Sequence, residues 1–458
     1  MKLCVRYIGG VLIGMLLIAG LPACNNRLDV KPGTGIGPGQ ILTAGDVEAT
    51  LIGAYTNLQQ FEAFGEQYFL ISDLLANDKE ILLVGNAVPY LEVASRQQQK
   101  NSVIAEQIWA GGFRTINAVN LVLSKQHLLA AANKDQIVAE AKFIRGITYY
   151  MLSGLYGKPY SAGNQTVNLT VPLILEPVIS VQDIEKVKLP RATVAVMYAQ
   201  IEEDLKAGAT YMQPDNGTRA NRFAAFAFLS RLYLAEGKYK EAAAMADSVI
   251  TKGGFVLSPT FEKAFNNTAN STEDIFAIQQ TAQSSGGSSN NGLITFYTSA
   301  RAGRGDAQVD VRQLSLYEDG DSRKDFIYDG YSSSGSTGKY TGKWKQQYTN
   351  IPVIRLAEMY LTRAEANLRA GTVVGDTPLN DVNAVRGRSN AGQLGSVTAD
   401  EVVAERFREL VYEGDKLWTV KRLKLDVGSR AYDHPKLILP VPQREIASNP
   451  KLEQNKDY

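Results

Sequence analysis

The chain of 458 residues is poor in the residue types that most often do chemistry. It has two cysteines, Cys4 and Cys24, and two histidines, His127 and His434. Neither histidine has a partner at metal-ligand spacing, and no H-E-x-x-H run occurs. A G-x-S-x-G elbow is also missing, which removes the usual esterase signature. Lys339 and Lys343 follow glycines but lack the earlier glycine that a phosphate-cradling loop requires. An excess of one charge sign is absent too, because 48 Lys and Arg face 47 Asp and Glu. So even a balance argues against nucleic acid and an anionic membrane face as the main partner. After the N-terminal stretch, no run of about 18 apolar residues occurs, so no later segment is built to cross a bilayer as a helix.

The beginning of the chain is the first positive signal. Lys2 and Arg6 precede the apolar stretch Ile8 to Leu21. This is the order of a secretory signal peptide, expected over residues 1–23. Leu21-Pro22-Ala23-Cys24 then resembles the lipobox of bacterial lipoproteins. Cys24 is therefore the expected lipidation site, carrying acyl chains such as palmitate. Loss of Lys2 and Arg6 leaves 46 basic against 47 acidic residues, a net charge of −1. With Cys4 removed and Cys24 acylated, no disulfide remains, and packing alone must hold the fold. Gly33, Gly35, Gly37, Pro38 and Gly39 make residues 24–42 a flexible tether.

Helical spacing dominates the remainder of the chain. Thr43 and Asp46 open a helix whose Val47, Leu51, Tyr55 and Leu58 share one face. Ile104, Ile108, Trp109, Ile116, Val119 and Leu123 mark a second helix. Asn133 and Gln136 suggest a capping box for a third, which stops at Gly157-Lys158-Pro159. A fourth is expected over Val194–Ala207. Two helical runs, Asn221 to Glu236 and Tyr239 to Thr251, meet at Gly237. Their junction, Leu-Ala-x-Gly-x-Tyr-x-x-Ala ending at Ala242, resembles the turn of a tetratricopeptide repeat. Ala224, Ala227, Ala242 and Ala246 let such helices approach closely. Ile354 to Ala370 has the same texture and is placed to pair with Leu379–Arg386. The expected fold class is mainly α: about four tetratricopeptide-like helix pairs, with long loop insertions and minor β structure. A helical region over 43–270 and a C-terminal region over 271–458 divide the mature chain, the second interrupted by an aromatic-rich loop at 283–350.

The C-terminal third resembles the SusD/RagB family of outer-membrane nutrient-uptake lipoproteins. Leu439-Pro440-Val441-Pro442-Gln443-Arg444-Glu445-Ile446 leads into Asn449-Pro450-x-Leu452-x-Gln454-Asn455 and Tyr458, close to the family's tail. Lys456 and Asp457 replace the usual Pro-Gly there. Arg355-Leu356-Ala357-Glu358-x-Tyr360-Leu361-x-Arg363-Ala364-Glu365-Ala366 is a second piece. Val382-Asn383-x-Val385-Arg386-x-Arg388 is a third. Glu405-Arg406-x-Arg408-Glu409-Leu410-x-x-Glu413-Gly414-x-x-Leu417-Trp418-x-x-Lys421-Arg422 is a fourth. Upstream, Glu140-Ala141-Lys142-Phe143-Ile144-Arg145-Gly146 and Leu155-Tyr156-Gly157 resemble the family's second helix pair. The resemblance implies a lipid-anchored, outer-membrane protein facing the cell surface. It also implies a non-enzyme that binds a nutrient, glycan or peptide, as the lid of a SusC/RagA-type TonB-dependent barrel.

Chemistry must then come from contact. Glu358, Arg363, Glu365, Arg406, Glu409 and Glu413 lie at helical spacings that favour structural pairing over acid catalysis. Asp319, Asp321 and Asp325 offer oxygen ligands for calcium, although a solvated acidic turn accounts for them equally; no cofactor is otherwise expected. Sugars pack their C–H faces on aromatic rings. The candidate platforms are Tyr90 in the first insertion and Tyr331, Tyr340 and Trp344 in the aromatic loop; Trp109 and Trp418 are expected in the core. Two rival classes stand beside this reading: a periplasmic tetratricopeptide-type adaptor for proteins, and a glycan hydrolase.

Overall fold

Thr43 caps the first helix through a capping box with Asp46, as the sequence predicts. A computed structural model describes residues 38–287 and 290–458, so the signal peptide, most of the tether and Cys24 lie outside the described residues. Residues 42–458 close into one unit. Its longer helices are α1 (Ala44–Gln59), α2 (Gln67–Leu75), α3 (Val103–Ser124), α4 (Ala131–Tyr156), α5 (Val194–Tyr211) and α6 (Arg222–Glu236). They continue as α7 (Tyr239–Lys252), α8 (Leu356–Ala370), α9 (Pro378–Arg388), α10 (Ala399–Glu409) and α11 (Asp415–Leu423).

Local chemistry sets most of the boundaries. Asn221 accepts from the N–H groups of Phe223 and Ala224 at 3.0 and 3.1 Å, which starts α6. Thr193, Thr377 and Thr398 cap α5, α9 and α10 in the same way. Gly237, at φ +73°, turns α6 into α7 without the steric penalty a side chain would meet. One expected cap is corrected: α4 begins at Ala131 with no side-chain cap. Gln136 instead donates to Glu140 Oε1 at 2.9 Å and accepts from Gln213 N–H at 2.6 Å.

Packing then runs as a chain of neighbours. Helix α3 lies on α4, α4 on α5, α5 on α6, α6 on α7, α7 on α8 and α8 on α9. Each helix pair buries an apolar face on the next, as in a solenoid. Ala224, Ala227, Ala242, Ala243 and Ala246 are fully buried where α6 meets α7. Ala357, Leu361, Ala364, Val382, Val385 and Val402 form a core shared by α8, α9 and α10.

The expected loop at 283–350 is in large part folded. Strand β1 (Ile81–Leu83) joins β3 (Ala307–Val309), β4 (Ile327–Tyr331) and β5 (Thr337–Thr341) in an antiparallel sheet of order β1-β3-β5-β4. Strand β2 (Asp274–Ile278) pairs with β6 (Ile351–Arg355), and β6 leads directly into α8. The helix expected from Ile354 therefore begins two residues later, because Ile354 and Arg355 still belong to the strand.

A buried ionic lattice joins these parts. The Arg355 guanidinium reaches Glu273 at 2.8 Å, Glu409 at 3.0 Å and Glu413 at 2.8 Å. Arg388 bonds the same Glu273 and Glu409. Arg323 adds Asp321, Glu405 and Glu409. Burial acts to raise the Glu409 carboxyl, but Arg388, Arg355, Arg323 and Lys343 together hold it at about 2. Separate clusters join Glu358 to Arg231 and Arg406, and Glu365 to Arg369 and Arg422.

Gly154 inside α4 marks a close approach. The Trp418 ring of α11 stacks on Tyr150 at 4.5 Å, and a Cβ at position 154 would lie 1.6 Å from that indole. Trp418 is half-buried, so it belongs to the edge of the core. Alanine for glycine in a helix ordinarily gains about 0.5–1 kcal/mol. Here Gly154→Ala should instead lose about 1–3 kcal/mol through overpacking. Urea unfolding measures the difference, and a variant as stable as the parent would reveal slack around Trp418.

Candidate ligand-binding surface

Three segments of the aromatic insertion meet at its outer rim. Residues 299–303 form a tight turn, since the N–H groups of Ala302 and Gly303 both donate to Ser299 O. Ala300 N–H donates to Tyr331 O at 2.8 Å, which ties this turn to the end of β4. Gln347 Nε2 donates to Ala302 O at 3.4 Å, which ties it to the segment before β6. Ser299 N–H also donates to the Tyr328 hydroxyl at 3.3 Å.

The rim exposes rings that the interior does not. Tyr331 and Tyr348 are each 45% exposed. Tyr348 sits at φ +61°, a conformation rare for a non-glycine residue and often associated with functional positions. Tyr328 is half-buried, with the Lys345 ammonium 4.6 Å from its ring centre. Alternation along β4 puts Tyr328 and Tyr331 on opposite faces, so Tyr331 stands across the strand edge from Tyr328.

The other expected platforms point inward. Tyr340 is fully buried; it donates to Gly305 O at 3.1 Å and accepts from Gln308 at 2.9 Å. Trp344 is 6% exposed and donates to Tyr412 O at 3.0 Å, with its ring stacked on Phe69. Tyr90 is 7% exposed, donates to Glu66 and packs against Phe296 at 4.4 Å. In this structure these three rings pin the insertion and offer no open face to a ligand. Trp109 is 5% exposed, as expected of a core residue. Of the rings at the rim, Tyr348 carries no distinguishing sequence signal, and only its backbone conformation singles it out.

Two of the three aspartates weighed as calcium ligands are engaged by cations. Asp321 is buried, its carboxylate bonded to the Arg323 guanidinium at 2.8 Å. Asp319 pairs with Lys324 at 3.3 Å. Among the described residues, no group of three or more His, Cys, Asp or Glu side chains is arranged to hold a metal. Glu358, Glu365, Glu409 and Glu413 are all bonded to arginines, so the helical carboxylates serve structure.

Two buried carboxylates hold the insertion from below. Glu66, just before α2, accepts from Gly292 N–H at 2.5 Å as well as from Tyr90. Asp73, on α2, accepts from the Tyr297 hydroxyl at 2.8 Å and from Gly414 N–H at 3.0 Å. Burial pushes Glu66 up to about 7 and Asp73 up to about 8, despite those hydrogen bonds. An unfolded glutamate titrates near 4.3, so the folded protein takes up a proton between about 4.3 and 7. The resulting stability is complete below the unfolded value and is lost as pH rises through the folded one. Glu66→Gln should flatten the fall in unfolding free energy from about pH 5 to about pH 8 by on the order of 3 kcal/mol. Urea titrations at both values check this, and identical pH slopes in the two proteins would refute it.

Comparison with known proteins gives the lineage. A family model described as "Starch-binding associating with outer membrane" matches residues 40–234, and one described as "SusD family" matches residues 315–436. The starch-binding protein SusD of Bacteroides thetaiotaomicron is 34% identical over 139 residues, which is 27% of this chain and 24% of that protein. A SusD-like protein of Bacteroides ovatus is 24% identical over 367 residues, 67% of this chain and 63% of that protein. The matched region is thus less than two thirds of either relative's length. Among solved structures, a SusD superfamily protein of Bacteroides thetaiotaomicron superposes with a TM-score of 0.79 at 22% identity, covering 90% of this chain and 100% of that one. Matches at both ends of the helical frame, sequence relatives and a common architecture converge: this chain belongs to the SusD/RagB family.

Proposed function

We propose that this protein is a non-catalytic surface lipoprotein that binds a glycan at the tyrosine rim of its insertion. Lipid on Cys24 holds it to the outer membrane, with residues 24–42 as the tether and residues 1–23 as the removed signal. It passes its ligand, as a lid subunit, to a TonB-dependent barrel of the SusC/RagA type. The observation that carries this reading is the pair of exposed tyrosines, Tyr331 and Tyr348, tied to one hydrogen-bonded turn while neighbouring rings are buried. Starch binding by the related SusD and the outer-membrane association in the family description support it. The absence of a transmembrane helix among the described residues is compatible with a lipid tether.

The energetics suit capture and release. An aromatic platform contributes about 0.5–1.5 kcal/mol beyond its area, judging from aromatic pairs. Two platforms with a few hydrogen bonds give micromolar to millimolar binding, weak enough to hand a ligand onward. The helical carboxylates that a hydrolase would need are neutralised by arginines, which supports binding without turnover.

Calorimetry against a glycan panel should find a binder, and Tyr331→Ala or Tyr348→Ala should each weaken it about three- to tenfold. Melting temperatures should stay unchanged, since both rings are exposed. Unaltered affinity in the double variant would remove the rim as the site. Cys24→Ala should move the protein from the membrane to the soluble fraction, as immunoblots of fractionated cells would show; continued membrane retention would refute the anchor.

A further inference from the structure

Two cations without ionic partners flank the tyrosine rim. Arg301 is exposed at the apex of the 299–303 turn and forms no ion pair with the described residues. Its neighbours Ala300 and Ala302 make the backbone contacts to Tyr331 and Gln347, so Arg301 lies between the attachments of the two exposed rings. Lys345 is exposed as well, three residues before Tyr348; its ammonium faces the Tyr328 ring and forms no ion pair with the described residues. Two other cations near the rim are paired. Lys339 pairs with Asp329 at 2.9 Å, and Arg304 pairs with Asp306 at 2.5 Å. Arg301 and Lys345 are left as two exposed positive charges on one rim without an ion pair among the described residues.

The two chemistries ask for different parts of one ligand. Tyrosine faces take the C–H surfaces of sugar rings. A guanidinium presents a planar fork that matches a carboxylate or a sulfate in bidentate fashion, and an ammonium adds a point charge. A neutral glycan leaves both cations solvated and unused. An acidic peptide satisfies the cations but brings few ring faces to the tyrosines.

We propose that the ligand is an anionic saccharide, with carboxylate or sulfate groups at Arg301 and Lys345 and sugar rings on Tyr331 and Tyr348. This assignment rests on the reading of the rim as a glycan site. The turn that carries Arg301 is bonded to Tyr331, to the Tyr328 hydroxyl and to Gln347, beside Tyr348, so an extended polysaccharide crossing this turn passes both exposed rings.

Affinity electrophoresis and calorimetry on the lipid-free chain test it with matched polymers: polygalacturonate and its methyl ester, dextran sulfate and dextran, and poly-L-glutamate. At low salt at least one acidic polysaccharide should bind about tenfold tighter than its neutral twin, the combined scale of two exposed ion pairs. The preference should vanish at high salt and in the Arg301→Gln/Lys345→Gln double variant, whose melting temperature should not change. Preference for polygalacturonate identifies a carboxylate ligand; preference for dextran sulfate identifies a sulfated one. Equal affinity within each pair overturns the charge preference and leaves the glycan reading standing. Poly-L-glutamate binding as tightly as the acidic glycans overturns the saccharide assignment. Binding of none of the polymers, or binding indifferent to Tyr331→Ala, overturns the glycan reading and this proposal together.

Discussion

Glu409 and Arg355 hold the rest of the molecule in register. Arg355 ends β6, Glu409 ends α10, and Glu273 immediately precedes β2. Arg323 brings the insertion to the same carboxylates, and Lys343 donates to the carbonyls of Glu409 and Val411, both at 2.8 Å. Charges buried this deeply are tolerable only when every partner is present. Removing one member would leave an uncompensated ion in a low-dielectric interior. The lattice therefore sets one arrangement of sheet, insertion and helices, whatever its net contribution to stability.

That constraint explains how weakly bonded recognition loops stay in place. The rim itself is joined by a few backbone contacts near the surface. Beneath it, Glu66 and Asp73 grip Gly292 and Tyr297, Trp344 and Tyr90 fill the space between insertion and helices, and Tyr340 packs within the insertion. Rigidity below leaves the exposed rings ordered before a ligand arrives, which lowers the entropy lost on binding.

Much of the helical frame was legible because its signals are local. Thr43 with Asp46, Asn221, Gly237 and the alanine-rich faces each specify a cap, a turn or a close contact within a few residues. Asn133 and Gln136 misled because a capping pattern does not reveal where Glu140 and the chain near Gln213 will sit. The strands of the insertion are hard to read in the sequence because they are short; Gly330 and Gly338 interrupt the pattern of the β4–β5 hairpin, and β1 meets β3 only through the fold. Composition pointed to the aromatic segment, while the direction of each ring depended on tertiary partners. Tyr331 opens outward at a strand end, whereas Tyr340 turns under the hairpin toward Gln308 and Gly305. Position 348 carries no such signature at all: its left-handed backbone is visible only in three dimensions.

At the base of the insertion, Thr298 donates its hydroxyl proton to the Trp344 carbonyl, joining positions 46 residues apart. The span between them is thereby clasped at its neck. Closure entropy grows only logarithmically with the number of residues enclosed. Arg323 and Lys343 anchor that span to the frame. Additions or deletions therefore cost the frame little only where they spare these anchors, as at the tip between β4 and β5, where new ligand preferences can diversify while the supporting architecture stays constant.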